Sequence, residues 1–145
     1  MKILFVCTGN MCRSPAAEKL LTLYGAKAGF MARSRGTAAQ PYCRMPAQIE
    51  FFLKQAGVTD IAHKPALVTE EDIEWAELIL VMEKGHSEIL ADKFPRSIGK
   101  TRLLAGGELR DPMGKSAAVY EAVMKQIEEA VKVLVAEKLK PPKGR

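Results

Sequence analysis

Cys7 and Arg13 bracket five residues in the stretch "FVCTGNMCRSP" (5–15), which also holds Gly9, Asn10 and a second cysteine, Cys12. Cysteines this close could ligate a metal, exchange as a redox pair, or place a nucleophile beside a resolving thiol. The arginine adds a planar cation that can grip two oxygens of a tetrahedral dianion, as a lysine cannot. Two familiar phosphate loops are excluded. The second glycine and Lys-Ser/Thr of a Walker A loop are missing, and there is no G-x-G-x-x-G. What remains is Cys-x5-Arg-Ser-Pro, placed after an apolar run and before helix signals.

A loop that curls into a helix aims successive backbone N–H groups at one point, where the helix dipole also favours an anion. Here Thr8, Gly9, Asn10, Met11, Cys12 and Arg13 would supply those donors. Gly9 and Asn10 suit the left-handed turns such a loop needs. Cys7 at the base of the cradle faces the same field, which favours a thiolate aimed in line at a held phosphorus. A cysteine at a strand end is more often a small buried hydrophobe, but Gly-Asn and Arg-Ser-Pro in this setting argue for the nucleophile. A zinc site built on Cys7, Cys12 and Cys43 lacks a second close pair of ligands, since His63 stands alone. The chemistry read here calls for no metal and no cofactor.

Displacing an alkoxide or phenoxide also requires a proton donor. The candidate is Asp111 in "LRDPMG", in a loop between the last strand and the last helix. Asp-Pro alone is an ordinary turn dipeptide. Beside the nucleophile loop it reads as a general acid.

These groups need elements to position them. Residues 2–6 read as a strand ending at Cys7, and Ser14 with Pro15 reads as the N-cap and first turn of a helix that stops at Gly25. A second strand is expected around 30–34, then a polar loop through Pro41 and Arg44, then a helix closed by Gly57. "TEED" (69–72) resembles a capping box. "LILVM" (78–82) is a strand fit to be buried on both faces. A helix near 87–93, a short strand near 101–104 and a long helix over 116–139 complete the chain. Strands separated by helices mean βαβ units and a mostly parallel sheet. The expectation is one α/β domain, doubly wound, with helices on both faces over residues 1–139, and a frayed basic tail at 140–145.

The chain has 145 residues, 48% hydrophobic and 27% charged, with a net charge of +5. This fits one soluble domain with a proper core. No apolar run approaches a membrane span, and the N-terminus lacks the pattern of a secretory signal. The three cysteines give no disulfide framework. A cytoplasmic, monomeric protein is expected, without nucleic acid or membrane as partner. Its positive charge favours anionic substrates.

"VCTGNMCRSP" near the N-terminus and "DP" before the C-terminal helix resemble the low-molecular-weight protein tyrosine phosphatase family. "SRGTA", "AH" at 62–63, "LILVME" and "DPMGKSAAVY" extend the resemblance over almost the whole chain. It implies a four-stranded sheet of order 2-1-3-4 and a two-step reaction through a phosphocysteine. Cys7 would be the nucleophile, Arg13 the phosphate clamp and Asp111 the acid, then the base. The loop 8–14, Ser14 included, would bind phosphate. Asn10, Ser14, Ser34 and His63 would form a supporting network, and Ser14 would also assist the Cys7 thiolate. Substrates would be a phosphorylated protein or a small aryl phosphate, with inorganic phosphate as product.

The chain departs from the family pattern in several places. Arg35 stands where alanine is usual. Gln40, with Tyr42 nearby, replaces one aromatic of the substrate slot, and Met113 replaces another. Met11 leaves an apolar lip on the loop, where relatives acting on phosphoarginine tend to carry a smaller polar residue. The slot walls are therefore expected to be Met11, Gln40, Tyr42 and Met113, favouring phosphotyrosine, with phosphoarginine as the alternative. Cys12 reads as a redox guard able to capture an oxidised Cys7. An arsenate reductase would need further cysteines downstream, and a non-catalytic anion or redox sensor would leave Arg13 and Asp111 unexplained. Trp75 and His86 read as core or surface.

Overall fold

The structure is a computed structural model, and it describes residues 1–139; the expected basic tail at 140–145 lies outside the described residues. Four strands, β1 (Lys2–Cys7), β2 (Met31–Gly36), β3 (Leu78–Val81) and β4 (Thr101–Leu103), form one parallel sheet in the order β2-β1-β3-β4. Five helices connect or follow them: α1 (Arg13–Gly25), α2 (Ala47–Ala56), α3 (Glu70–Trp75), α4 (Lys84–Lys93) and α5 (Ala117–Leu139).

The period-2 alternation of β1 divides the core. Ile3, Phe5 and Cys7 belong to the layer under α1, α2 and α5, with Leu20, Leu21, Ile49, Leu53, Ile127 and Val131. Leu4 and Val6 face the other way, onto Ile73, Ile79, Val81 and Leu90 beneath α3 and α4. Both faces of β1 are buried because crossover helices cover a parallel sheet on both sides. The central strand thus ends with Cys7 on the α1 side, at the edge where ligands of open α/β sheets bind.

The doubly wound architecture and the strand order match the expectation, but several boundaries shift. The N-cap of α1 is Cys12, not Ser14, and no side chain caps it. The Ser14 hydroxyl, inside the first turn, instead lies 2.9 Å from Cys7 Sγ and accepts from Asn10. Helix α1 ends at Gly25, as expected. A 3-10 turn at Ala26–Ala28 carries the chain on to Gly29, whose φ of +79° supplies the left-handed cap. Gly25 is a packing position, since a Cβ there would lie 2.8 Å from the Phe30 ring. Strand β2 runs two residues further than expected and takes in Arg35 and Gly36. Helix α4 starts three residues earlier, at Lys84. The capping box of α3 forms as read, with Thr69 accepting from the Asp72 N–H and Asp72 accepting from that of Thr69.

Candidate active site

The loop from Cys7 to Arg13 is shaped from both sides. Asn10 adopts φ +57° and is fully buried. Its side chain donates to Ser14 Oγ (2.8 Å) and accepts from the Ala66 N–H (3.0 Å). The Asn10 carbonyl accepts from His63 Nε2 at 2.6 Å, so that nitrogen carries the proton. Three bonds hold one left-handed residue, a conformation asparagine tolerates better than most. Burial lowers the pKa of His63, consistent with a neutral donor.

The end of β2 closes against the same loop. The Thr37 N–H reaches the Cys7 carbonyl and the Ala38 N–H that of Thr8, both at 2.9 Å. Gly36 makes this approach possible. A Cβ there would stand 2.5 Å from the Thr8 carbonyl oxygen and 3.0 Å from Asn10 N. The glycine of "SRGT" is thus a matter of backbone clearance.

Cys7 Sγ is buried, 2.9 Å from Ser14 Oγ. Asn10 donates to that oxygen, so the serine hydrogen is free for the sulfur or for the Arg35 carbonyl at 3.4 Å. The sulfur is the nearer acceptor. Arg13, buried with its side chain 3% exposed, is clamped through Nη1 by Glu83 (2.5 Å) and the Leu109 carbonyl (2.7 Å). This leaves Nη2 and Nε for two oxygens of a ligand. Leu109 also donates its N–H to the Met82 carbonyl at 2.8 Å, which ties the last loop to the end of β3. Two residues on, Asp111 has Oδ2 3.9 Å from Arg13 Nη2 while Oδ1 accepts the Met113 N–H at 3.0 Å. Its side chain is half exposed.

Cys7, Gly9, Met11, Cys12, Arg13, Asp111 and Met113 line one small cleft. The structure therefore brings together the three expected catalytic groups and two of the four expected slot walls, Met11 and Met113. Gln40 and Tyr42 do not line it, and Tyr42 is 79% exposed. They sit in the loop after β2, past the point where its backbone bonds the phosphate loop. Ser34 is buried as expected of a network member, but its hydroxyl donates to Glu18 (2.5 Å) rather than to Asn10, Ser14 or His63. Cys12 is buried against the cleft with its thiol toward Met113 Sδ at 3.2 Å. Burial first, then the neighbouring Cys7 and Asp111, push its pKa up to about 12. Cys12 is thus a neutral thiol. Among the described residues no group of three or more His, Cys, Asp or Glu is placed to hold a metal ion.

Two contributors escaped the sequence reading. Glu83 forms the ion pair with Arg13. His86 accepts the Glu83 N–H at Nδ1 (3.1 Å), so Nε2 carries the proton and donates to Thr8 Oγ1 at 2.9 Å. Both come from "MEKGH" at the start of α4. The signal available was position alone, the loop after a central strand facing the same rim as Cys7. Trp75 also has a partner, the Arg33 guanidinium 4.2 Å above its ring, on the far side of the sheet from this cleft.

A Cys-x5-Arg loop at the end of the central strand of a 2-1-3-4 sheet, facing an Asp-Pro loop, defines a class of small cysteine-dependent phosphatases. The family model "Low molecular weight phosphotyrosine protein phosphatase" matches residues 2–143, and the chain belongs to that family. It is similar to a protein-arginine-phosphatase of Geobacillus stearothermophilus, 35% identical over 144 residues, 95% of each chain. It is also similar to the low molecular weight protein-tyrosine-phosphatase Wzb of Salmonella typhimurium, 36% identical and covering 97% of this chain and 98% of that one. Among solved structures, a cysteine-to-serine mutant of the YwlE arginine phosphatase with a phosphorylated active-site serine superposes with a TM-score of 0.89. It is 31% identical and covers 99% of both chains.

Proposed function

We propose that the chain hydrolyses phosphomonoesters, foremost phosphotyrosine in proteins, through a phosphocysteine on Cys7. The observation that carries the reading is the shared cleft. Cys7 Sγ lies at its base, Arg13 is fixed with two nitrogens to spare, and Asp111 stands on its edge. In the first step the Cys7 thiolate attacks phosphorus. The bond to the leaving oxygen breaks, and protonated Asp111 gives that oxygen its proton. The Ser14 hydroxyl provides a donor to the sulfur anion. In the second step water attacks the phosphocysteine, the Asp111 carboxylate takes its proton, and the S–P bond breaks to return the thiolate and release phosphate. Arg13 and the loop N–H groups hold the equatorial oxygens in both steps, already oriented before charge develops. Every group in this scheme comes from the chain, so the reaction needs no metal.

The thioether groups of Met11 and Met113 on the cleft support an aryl substrate, since sulfur packs favourably at aromatic edges. Phosphoarginine is the second reading. It is favoured by the similarity to relatives named protein-arginine-phosphatase. Three free cysteines in the described structure fit a reducing compartment, and we place the protein in the cytoplasm as a monomer.

The test is hydrolysis of p-nitrophenyl phosphate in the presence of a chelator. Cys7→Ser is expected to be inactive yet to retain phosphate binding, and Asp111→Asn to be slowed about 10²-fold or more. An unchanged rate in Cys7→Ser would overturn the mechanism. Matched phosphotyrosine and phosphoarginine peptides decide the substrate.

A further inference from the structure

In a βα unit each helix begins beyond the carboxyl end of its strand. Helices α2 and α5 accordingly start at the rim that carries the phosphate loop. Between their first turns lies an apolar cavity of about 570 Å³, within the size range of ligand sites. Met124, Tyr120 and Phe52 form its inner surface, and Phe51, 65% exposed, forms its lip. Gln48 and Glu121 edge it, and Glu121 is paired with Lys125 at 2.9 Å. The cavity abuts the cleft. Tyr120 lines it, and the Tyr120 Oη is 3.5 Å from Sδ of Met113, which lines the cleft.

We propose that this cavity is a subsite for one apolar side chain of a phosphorylated peptide, located a few residues from the phosphorylated one. The inference rests on the phosphatase reading of the cleft, and it specifies the substrates of that same site. Continuity through the Tyr120–Met113 wall selects the occupant. A peptide anchored by its phosphate in the cleft and running over Met113 meets the cavity at Tyr120. An extended chain advances about 3.3 Å per residue, so a side chain about two to four positions away can reach the cavity. The lining selects the chemistry. Its large side chains are aromatic and thioether, with Gln48 and Gln55 neutral, and its one carboxylate already has a cation, so Leu, Met or Phe fits and a charged residue finds no counter-ion. An exposed phenylalanine continuous with an apolar cavity makes a contiguous apolar surface of the kind that marks binding sites.

The experiment is a phosphotyrosine peptide panel in which Leu, Phe or Ser is placed at each of the flanking positions on either side. With the native chain, Leu or Phe at one or two positions is expected to raise kcat/KM about tenfold over Ser, mainly through KM, as burial of one apolar side chain returns. In Phe51→Ser that preference should collapse, with the peptide rate expressed relative to p-nitrophenyl phosphate. Phe51→Leu should restore most of it. A panel with no positional preference, or a preference that survives Phe51→Ser, would overturn the subsite. So would a concentration-dependent dimer abolished by Phe51→Ser, because a second copy would then cover the cavity. Absence of p-nitrophenyl phosphate hydrolysis by the native chain would instead indict the catalytic reading beneath it.

Discussion

Asn10 is the one non-glycine residue among those described with a left-handed backbone, and it is held there by Ser14, Ala66 and His63. Backbone strain at such a position persists only when its surroundings over-determine it. The same economy applies at Gly36, where a methyl group would collide with the Thr8 carbonyl. Gly36→Ala is expected to cost about 1–3 kcal/mol of stability and to lower kcat more than KM, because the displaced atoms are backbone of the phosphate loop. Urea melts and steady-state kinetics on p-nitrophenyl phosphate check both. Cys12 invites a different test. As a buried thiol donating to Met113, it is a poor nucleophile beside Cys7 at rest; the guard role requires it to attack a Cys7 sulfenic acid, releasing water and forming a disulfide. Peroxide inactivation should be reversed by dithiothreitol in the native chain and be largely irreversible in Cys12→Ser. Equal recovery in both would remove the guard role.

Between elements, the turn from β3 into α4 does two jobs with two residues. Glu83 clamps Arg13, and His86 binds both the Glu83 N–H and the Thr8 hydroxyl. Each end of the phosphate loop is therefore referenced to one helix start, as second partners must do for a site held to fractions of an ångström. His86→Ala is expected to cost about 1 kcal/mol through the lost cap and to reduce kcat/KM about tenfold through the loosened loop. Stability without any kinetic change would make His86 structural only. The long α5, packed on α1, carries Tyr120 to the wall of the cleft, so the last loop is held at both ends, by Leu109 and by the helix.

For the protein as a unit, the two histidines set an acid limit. Both have pKa values lowered from 6.5: His63 by burial, and His86 by burial and then by the neighbouring Arg13. These two imidazoles therefore bind more protons in the unfolded chain below about pH 6.5, and their effect is to lower stability as the pH drops through that value. Urea unfolding at pH 7.5 and 5.5 should show the loss, and His63→Gln should reduce it. A stability unchanged between the two would contradict neutral, buried imidazoles. No helix among the described residues is long and apolar enough to cross a membrane.

Much of this protein was legible in its sequence, because the relevant physics is local. The apolar run in "KILFVC", the buried run "LILV", the Thr69–Asp72 box and the glycine after α2 each act within a few residues, and together they imply a parallel α/β sheet. Cys-x5-Arg-Ser-Pro is likewise a local device, complete within one turn of loop and helix. Tertiary structure decided what depends on approach between distant segments. Ser14 serves a sulfur rather than a helix end because Asn10 and Cys7 converge on it. Ser34 bonds Glu18 because β2 lies against α1. Glu83 and His86 carry no motif of their own. They matter because β3 pairs beside β1, and that pairing places their turn a hydrogen bond away from Arg13 and Thr8.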